Sequence, residues 1–501
     1  MVEDTRALSA PLVAAPVVRP TGWLDRFVDG PYALVALLAV AAVVASLNVL
    51  GAYGSDEIWS VNAVTKSFAE MTAELRGDIH PPLYYLVLFG WIRLFGTGEY
   101  AVRSLSTLFY LASVFALYRW GGELGGKRAG AIAAAVYMTT PLTILVSHFA
   151  RMYALLSLLS ILSTWLYWRA FVDGKRSRGN LALFAVVNAL GTLTHIWFFF
   201  ILFAEGAHWL AMRQRHFLEF SAVMTGSIMP YAVLWLPTLI RQLGKSNEAA
   251  AWIHAPTPAD LAGVFFLYSA VAILPLAAAV LQAVMRRVRP YPWASGFALM
   301  LVAALAAPFA LSYVKPVFYS RFTIIGVHLF ALAVAGCVAR VSSWQVPVVV
   351  SAIVLAYYGH LAAQPKLCDA RMTAEYLAAH ASPADSAVFT SLSRPPVDHY
   401  LRKIPIAPFA ETSFPAEIDA HPGYEGAWFA PGRQGSLQQE AEDLALRLHQ
   451  RHGRIFLFHG YHAKIDDVLE RALSRQFKRM DSESVNCGDG YCYYNKISVY
   501  E

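Results

Sequence analysis

Eleven apolar runs, most of them near the roughly 17 residues that let a helix cross a bilayer, constrain this chain more than any other feature. They lie near 31–50, 101–119, 129–147, 152–171, 180–194, 196–212, 218–240, 259–284, 293–312, 322–340 and 345–362. In hydrocarbon a backbone must satisfy its own hydrogen bonds, so runs of this kind pack as helices. Composition agrees: 57% of the 501 residues are hydrophobic and 15% charged, against about a quarter charged in soluble domains. The expected fold class is an all-α polytopic membrane bundle of about eleven spans. The net charge of +6 is small for this length, and the basic residues fall in short clusters between apolar runs. That pattern sets membrane topology and excludes a nucleic-acid footprint.

Orientation follows from those clusters. Lys127-Arg128, Lys175-Arg176-Arg178, Arg213-Arg215, Arg286-Arg287-Arg289 and Arg340 belong on the cytoplasmic side. Residues 1–30, with Arg6, Arg19 and Arg26, read as a cytoplasmic arm and show no compact apolar stretch with a cleavage site. Residues 83–95 (LYYLVLFGWIRLF) decide the parity: they are short, and Arg93 interrupts them. Laid along the outer interface, they keep every basic loop inside. Residues 51–100 then form one external loop with two interfacial helices, within a membrane domain spanning 31–362. The first of those helices shows its apolar stripe at Ile58, Val61, Val64, Phe68, Met71 and Leu75, and Ser55 can cap it.

Beyond residue 363 charge and proline return and no run is long enough to span, so 363–501 reads as a small α/β domain on the outer face. Strands are expected at Ser386–Leu392, Arg454–His459 and Tyr491–Tyr500, and helices at Ala370–His380, Leu437–Gln450 and Lys464–Gln476. Cys487 and Cys492 stand close together in a polar stretch, which suits a disulfide in an oxidising compartment.

Within the loop, Asp56-Glu57 offers a general base at the membrane surface. The bland alternative is two carboxylates in a helix first turn. Two oxygen donors make a weak divalent-cation site, which leaves a metal open without requiring one. His80 precedes two prolines that fix an extended lead into the next helix, so it can face the bundle mouth and hold a phosphate. Arg103, Arg151 and Arg321, with Lys315 nearby, fall on the outer side against the positive-inside bias. His148 and His195 lie at the same level; snorkelling arginines and an ordinary helix-end histidine are the competing readings. Several patterns carry no chemistry. GGELGGKR (121–128) lacks the P-loop Ser/Thr and a preceding strand, so it reads as a turn. The pairs His449/His452 and His459/His462 lack partners for a metal and read as surface.

The ordered set of Asp56-Glu57, HPPLYY (80–85), GTGEYAVRSLS (96–106), ARMYAL (150–155), THIWFFF (194–200) and YSRF (319–322) resembles the GT-C superfamily of membrane glycosyltransferases over residues 31–340. The nearest branch holds protein O-mannosyltransferases, aminoarabinose transferases of lipid A and rhizobial galacturonosyltransferases. The resemblance implies a polyprenyl-phosphate sugar donor and inversion at the anomeric carbon, with a lipid, glycan or protein acceptor. It makes Asp56 the base with Glu57 assisting, and His80, Arg151 and Arg321 the donor-phosphate ligands. His80 stands where aminoarabinose transferases carry a lysine. Tyr84, Arg103, His148, Tyr153, His195, Lys315 and Tyr319 would line the substrate cavity. No cofactor is required on this reading. The site would face the periplasm from a bacterial inner membrane. The alternatives are an O-antigen ligase-like or O-acyl transferase, which would not need the acidic pair, and a lipid-linked sugar flippase, which would need a polar path across the membrane.

Overall fold

The computed structural model describes residues 30, 32–46, 49, 51–77, 80–213, 215–243, 253–269, isolated positions from 277 to 285, 287–340, isolated positions from 349 to 360, 369–390, 393–416, 434–460, 463–483 and 496–501. Cys487 and Cys492 lie outside the described residues, as do most of the run at 345–362 and part of that at 259–284.

Among the described residues the first helix is α1 (Tyr32–Ser46), followed by three short helices: α2 (Ser55–Thr65), α3 (Phe68–Leu75) and α4 (Leu83–Phe95). The bundle continues through α5 (Glu99–Thr139), α6 (Pro141–Ser147), α7 (Tyr153–Tyr167, prolonged by a π-turn at Trp168–Val172), α8 (Arg178–Thr192) and α9 (Phe198–Ala211). It ends with α10 (Phe217–Leu234), α11 (Leu236–Leu243), α12 (Pro258–Ser269), α13 (Pro292–Leu311) and α14 (Val327–Val338), the last entered through a 3₁₀ turn at Ser320–Gly326. Among the described residues, five helical stretches are long and apolar enough to cross a membrane: 99–139, 153–172, 217–234, 292–311 and 320–338. Shorter apolar helices among the described residues lie at Tyr32–Ser46, Leu83–Phe95 and Phe198–Ala211.

Two expectations need correction. The stripe from Ile58 to Leu75 is not one helix, because Ser67 starts a second. The Ser67 hydroxyl accepts the Glu70 N–H at 3.3 Å while Glu70 Oε2 accepts the Ser67 N–H at 3.0 Å. This reciprocal cap halts α2 at Thr65. Nor does Ser55 cap α2: it lies inside the first turn, and Glu57 Oε2 accepts the N–H of Gly54 instead, at 3.1 Å. The turn expected at 121–128 is tighter than its sequence suggests. Only Gly125 and Gly126 leave helical geometry, and Gly126 has φ +82°, where a side chain would be strained. The two arms fold back on each other so closely that a Cβ on Gly130 would stand 2.2 Å from the Tyr118 carbonyl oxygen.

The C-terminal unit is a five-stranded sheet of order β2-β1-β3-β5-β4, with β1 (Ser386–Thr390), β2 (Ala410–Phe414), β3 (Ile455–His459), β4 (Arg479–Glu483) and β5 (Lys496–Tyr500). Strands β2, β1 and β3 are parallel, whereas β5 and β4 return antiparallel. Alternation along the strands feeds two faces. Ala387, Phe389, Phe456 and Phe458 join the core that continues into the membrane bundle, beneath α15 (Ala370–His380) and α16 (Arg394–Leu401). Val388, Ile455 and Leu457 face α17 (Gln434–His449) and α18 (Ala463–Leu473). Helix α16 and strands β2 and β4 had no sequence expectation. His459, expected at the surface, is buried, with Nε2 2.9 Å from Ser498 Oγ and Nδ1 3.5 Å from Asp466. It sits on a central strand between β1 and β5, where no side chain reaches solvent easily.

Candidate active site

Five segments converge at one end of the bundle: the first turns of α2, the HPP segment, the loop 148–152, the loop 193–197 and the 3₁₀ turn at 320–326. The HPP segment is held there by backbone, since the Leu83 N–H donates to Leu193 O at 3.0 Å. Pro81 and Pro82 withhold competing N–H groups from this junction.

Asp56 and Glu57 are neighbours with opposite surroundings. Arg321 Nη1 donates to Asp56 Oδ2 at 2.7 Å, and 38% of the Asp56 side chain remains exposed. Burial acts to raise its carboxyl, but the Arg151 and Arg321 guanidinium groups, with His80, hold it below its ordinary range. Glu57, by contrast, is saturated. Its oxygens accept from Arg103 Nε at 2.8 Å and Nη2 at 2.6 Å, and from the N–H groups of Ala150 at 2.9 Å and Gly54 at 3.1 Å. Burial again acts to raise the carboxyl, and Arg103 with these bonds brings it below the usual value. Arg103 also donates to the carbonyls of Val49, Gly51 and Ala52. It is therefore neither a snorkelling cation nor a cavity wall. It ties the 49–52 backbone to Glu57 at the foot of α2.

The cations meet near Asp56. Arg151 Nη1 lies 3.4 Å from both the Asp56 carbonyl oxygen and Ser60 Oγ, and its Nη2 lies 3.4 Å from His80 Nε2. The His80 and His195 rings are 5.7 Å apart. His195 Nδ1 accepts the Trp197 N–H at 3.1 Å, which assigns the proton of the neutral ring to Nε2. Arg321 is flanked by Phe149 at 5.1 Å and by Tyr153 and Tyr319, each at 5.7 Å; Arg151 lies 5.7 Å from the Trp59 ring. These faces hold the guanidinium groups in orientation by cation–π attraction. The structure thus gathers Asp56, His80, Arg151, Tyr153, His195, Tyr319 and Arg321. Tyr84 is fully buried behind them, edge-on to Tyr85. His148 is half-buried beside Ser147 Oγ at 3.4 Å, and Lys315 is half-buried in the turn leading to Tyr319.

A second layer escaped the sequence reading. The Tyr53 N–H donates to Tyr400 Oη at 2.9 Å, and Tyr400 Oη donates to Glu99 at 2.8 Å. Arg371 bonds the same Glu99 oxygen at 2.7 Å, and Asp369 accepts the Ala52 N–H at 3.2 Å. The C-terminal unit therefore grips the backbone just before Asp56. Nothing local marks Tyr400 or Asp369 for this, because their partners lie more than 300 positions away. Ser60, one turn beyond Asp56, was the one member legible from helical spacing.

The family model for dolichyl-phosphate-mannose-protein mannosyltransferase matches residues 79–240. The crystal structure of ArnT from Cupriavidus metallidurans in the apo state superposes with a TM-score of 0.58 at 13% identity, covering 93% of this chain and 97% of that one. The same protein bound to undecaprenyl phosphate gives 0.58 at 15% identity, covering 94% and 98%. Among curated proteins no sequence relative matches. The chain shares the ArnT fold over nearly its whole length, and it is an integral membrane protein.

Proposed function

We propose that this GT-C-fold chain is a membrane glycosyltransferase that moves a sugar from a polyprenyl-phosphate donor to a hydroxyl of a lipid, glycan or protein acceptor, with inversion. One observation carries the reading: a partly exposed carboxylate, Asp56, stands among Arg321, Arg151 and His80 at one end of an apolar bundle. The similarity to an ArnT structure described as bound to undecaprenyl phosphate, and the mannosyltransferase-family match over the HPP and ARMYAL segments, support the donor class.

The acceptor hydroxyl oxygen attacks the anomeric carbon as Asp56 takes its proton. The bond from that carbon to the donor phosphate oxygen breaks, and the electron pair leaves with the polyprenyl phosphate. Arg151, Arg321 and His80 supply donors to the growing phosphate charge in a largely dry site, where such bonds count most. Aromatic faces at Trp59, Phe149, Tyr153 and Tyr319 orient those cations and offer surface to a sugar ring. On this reading arginine neutralises the growing phosphate charge, so the reaction requires no metal. Residues 1–30 form the cytoplasmic arm, 31–362 the catalytic membrane domain with 51–100 as its first periplasmic loop, and 363–501 a periplasmic domain. The cell is bacterial and the membrane the inner one.

The test is an assay of purified protein in proteoliposomes with a panel of defined polyprenyl-phosphate sugars. Wild type releases polyprenyl phosphate and Asp56→Asn does not, while remaining folded. Near-normal release by Asp56→Asn would remove the base. Donor crossing the bilayer intact in both would favour the flippase.

A further inference from the structure

Outside this site, helix α16 presents Arg394, Pro395, Asp398, His399 and Arg402 along one face toward Asn62 of α2, enclosing a cleft of about 240 Å³. The spacing is that of a single helical stripe at i, i+1, i+4, i+5 and i+8. We propose that this cleft is a second anion site, which takes a phosphate group. On the glycosyltransferase reading, that phosphate is carried by the acceptor; only this clause rests on that reading.

Charge and geometry support it. Arg394 at the start of α16 and Arg402 just past its end bring two cations to the cleft, with Lys403 adjacent, set against Asp398 and Glu411. Arg394 Nε lies 3.3 Å from Asp398 and 3.9 Å from Glu411, so the two carboxylates crowd one guanidinium. Burial and then the neighbouring Glu411 push the Asp398 carboxyl up, which weakens its opposition to the cations of the cleft. Lys403 Nζ donates to His399 Nε2 at 2.8 Å, so the neutral His399 ring carries its proton on Nδ1. Asn62 adds an uncharged amide from the opposite wall. The donors are arginine forks and an amide, the set that recognises tetrahedral oxyanions. The volume falls below the roughly 300–1,000 Å³ of pockets that enclose a whole drug-sized ligand, so the cleft fits a headgroup with the remainder of the molecule outside.

Its place in the fold links it to the base. Asn62 lies six residues beyond Asp56 on α2, roughly 9 Å along the axis. His399 packs edge-on against Tyr53 at 5.6 Å, and the next residue, Tyr400, holds the Tyr53 N–H. A phosphate seated here would therefore rest on the helix that grips the catalytic turn.

The experiment reads binding, not turnover. Full-length protein in detergent micelles is unfolded by heat with inorganic phosphate or with chloride at equal ionic strength. In parallel, nanodiscs of phosphatidylcholine are compared with nanodiscs containing phosphatidic acid. Wild type is stabilised saturably, and Arg394→Gln/Arg402→Gln weakens the response about tenfold or more. The solvent-exposed Arg402→Gln alone provides the same comparison if the double variant folds poorly. Arg151→Gln retains the response, which separates this cleft from the donor site. Stabilisation by phosphate alone assigns a soluble phosphate group, and stabilisation by phosphatidic acid alone assigns a membrane headgroup. An Arg402→Gln variant that responds like wild type in both arms, or no response by wild type in either, overturns the site. A protein inactive in transfer that still binds phosphate here would count against the glycosyltransferase and for this cleft.

Discussion

Arg321 Nη1 lies 2.7 Å from Asp56 Oδ2, so the proposed base and a proposed phosphate ligand are bonded to each other. A guanidinium nitrogen cannot serve both partners fully. Donor phosphate that draws Arg321 toward itself weakens its hold on Asp56 and leaves the carboxylate a stronger base. On the proposed function, the pair would couple donor arrival to activation. Arg321→Gln should cut turnover by about 10²–10³, the loss typical when a donor to developing charge is removed. It should also move the acid limb of the pH–rate profile. With Arg151 and Arg321 holding Asp56 below its usual range, the base stays ionised to low pH. Without Arg321 it takes up a proton at higher pH, so activity should fail earlier on acidification. A kcat/KM profile for both proteins checks this, and an unmoved acid limb would dissociate Arg321 from the base.

Neighbouring carboxylates should behave oppositely. Glu57 and Arg103 are 4% and 5% exposed and bonded at 2.6 Å, so removing one partner strands the other in the core. Glu57→Gln should cost roughly 3–5 kcal/mol, seen as loss of monodisperse protein after mild heating in detergent. Asp56→Asn should leave that survival unchanged and abolish turnover. Equal stability losses in the two variants would contradict the division of labour.

That division marks where sequence reading reaches its limit. The helical bundle, the α/β unit and the convergence of Asp56, His80, Arg151 and Arg321 were legible, because apolar run length, basic-loop parity and motif order each constrain them locally. Adjacent acids in one helical turn carry no label saying which faces a cavity and which a buried arginine. Arg103 was read as a cation beside substrate because only the fold reveals that Val49, Gly51 and Ala52 turn their carbonyls toward it. The break at Ser67 was written in its Ser-x-x-Glu pattern, and the longer apolar stripe masked it. Tyr400 and Asp369 were invisible, since pairing across more than 300 positions has no periodic signature.

Tyr400 tests whether the C-terminal unit positions the base. Its hydroxyl takes the Tyr53 N–H and donates to Glu99, and among the described residues no other side chain accepts that N–H. Tyr400→Phe keeps the ring and removes both bonds, at roughly 1 kcal/mol each. The expected outcome is a fall in kcat of about threefold to tenfold, with KM for the donor little changed and the thermal midpoint within a few degrees of wild type. A variant with unaltered kcat would mean that the turn before Asp56 holds its place without this grip.

Asp398 supplies a pH signature for the outer domain. Burial first, then the neighbouring Glu411, pushes its carboxyl up to about 7, and Arg394 and Arg402 only partly oppose this. In the unfolded chain the same group titrates near 3.9. Between those values the folded protein binds more protons than the unfolded one, so the contribution to stability is complete below about pH 4 and is lost as pH rises through about 7. Asp398→Asn carries its hydrogen at every pH and so removes this dependence. Thermal midpoints of the full-length protein, followed by tryptophan fluorescence from about pH 4 to pH 8, should therefore decline more steeply for wild type than for the variant. At the alkaline end, where wild type must bury a charge beside Glu411, the variant should be the more stable of the two. Parallel curves for the two proteins would show that Asp398 is ionised throughout and that Arg394 outweighs its burial.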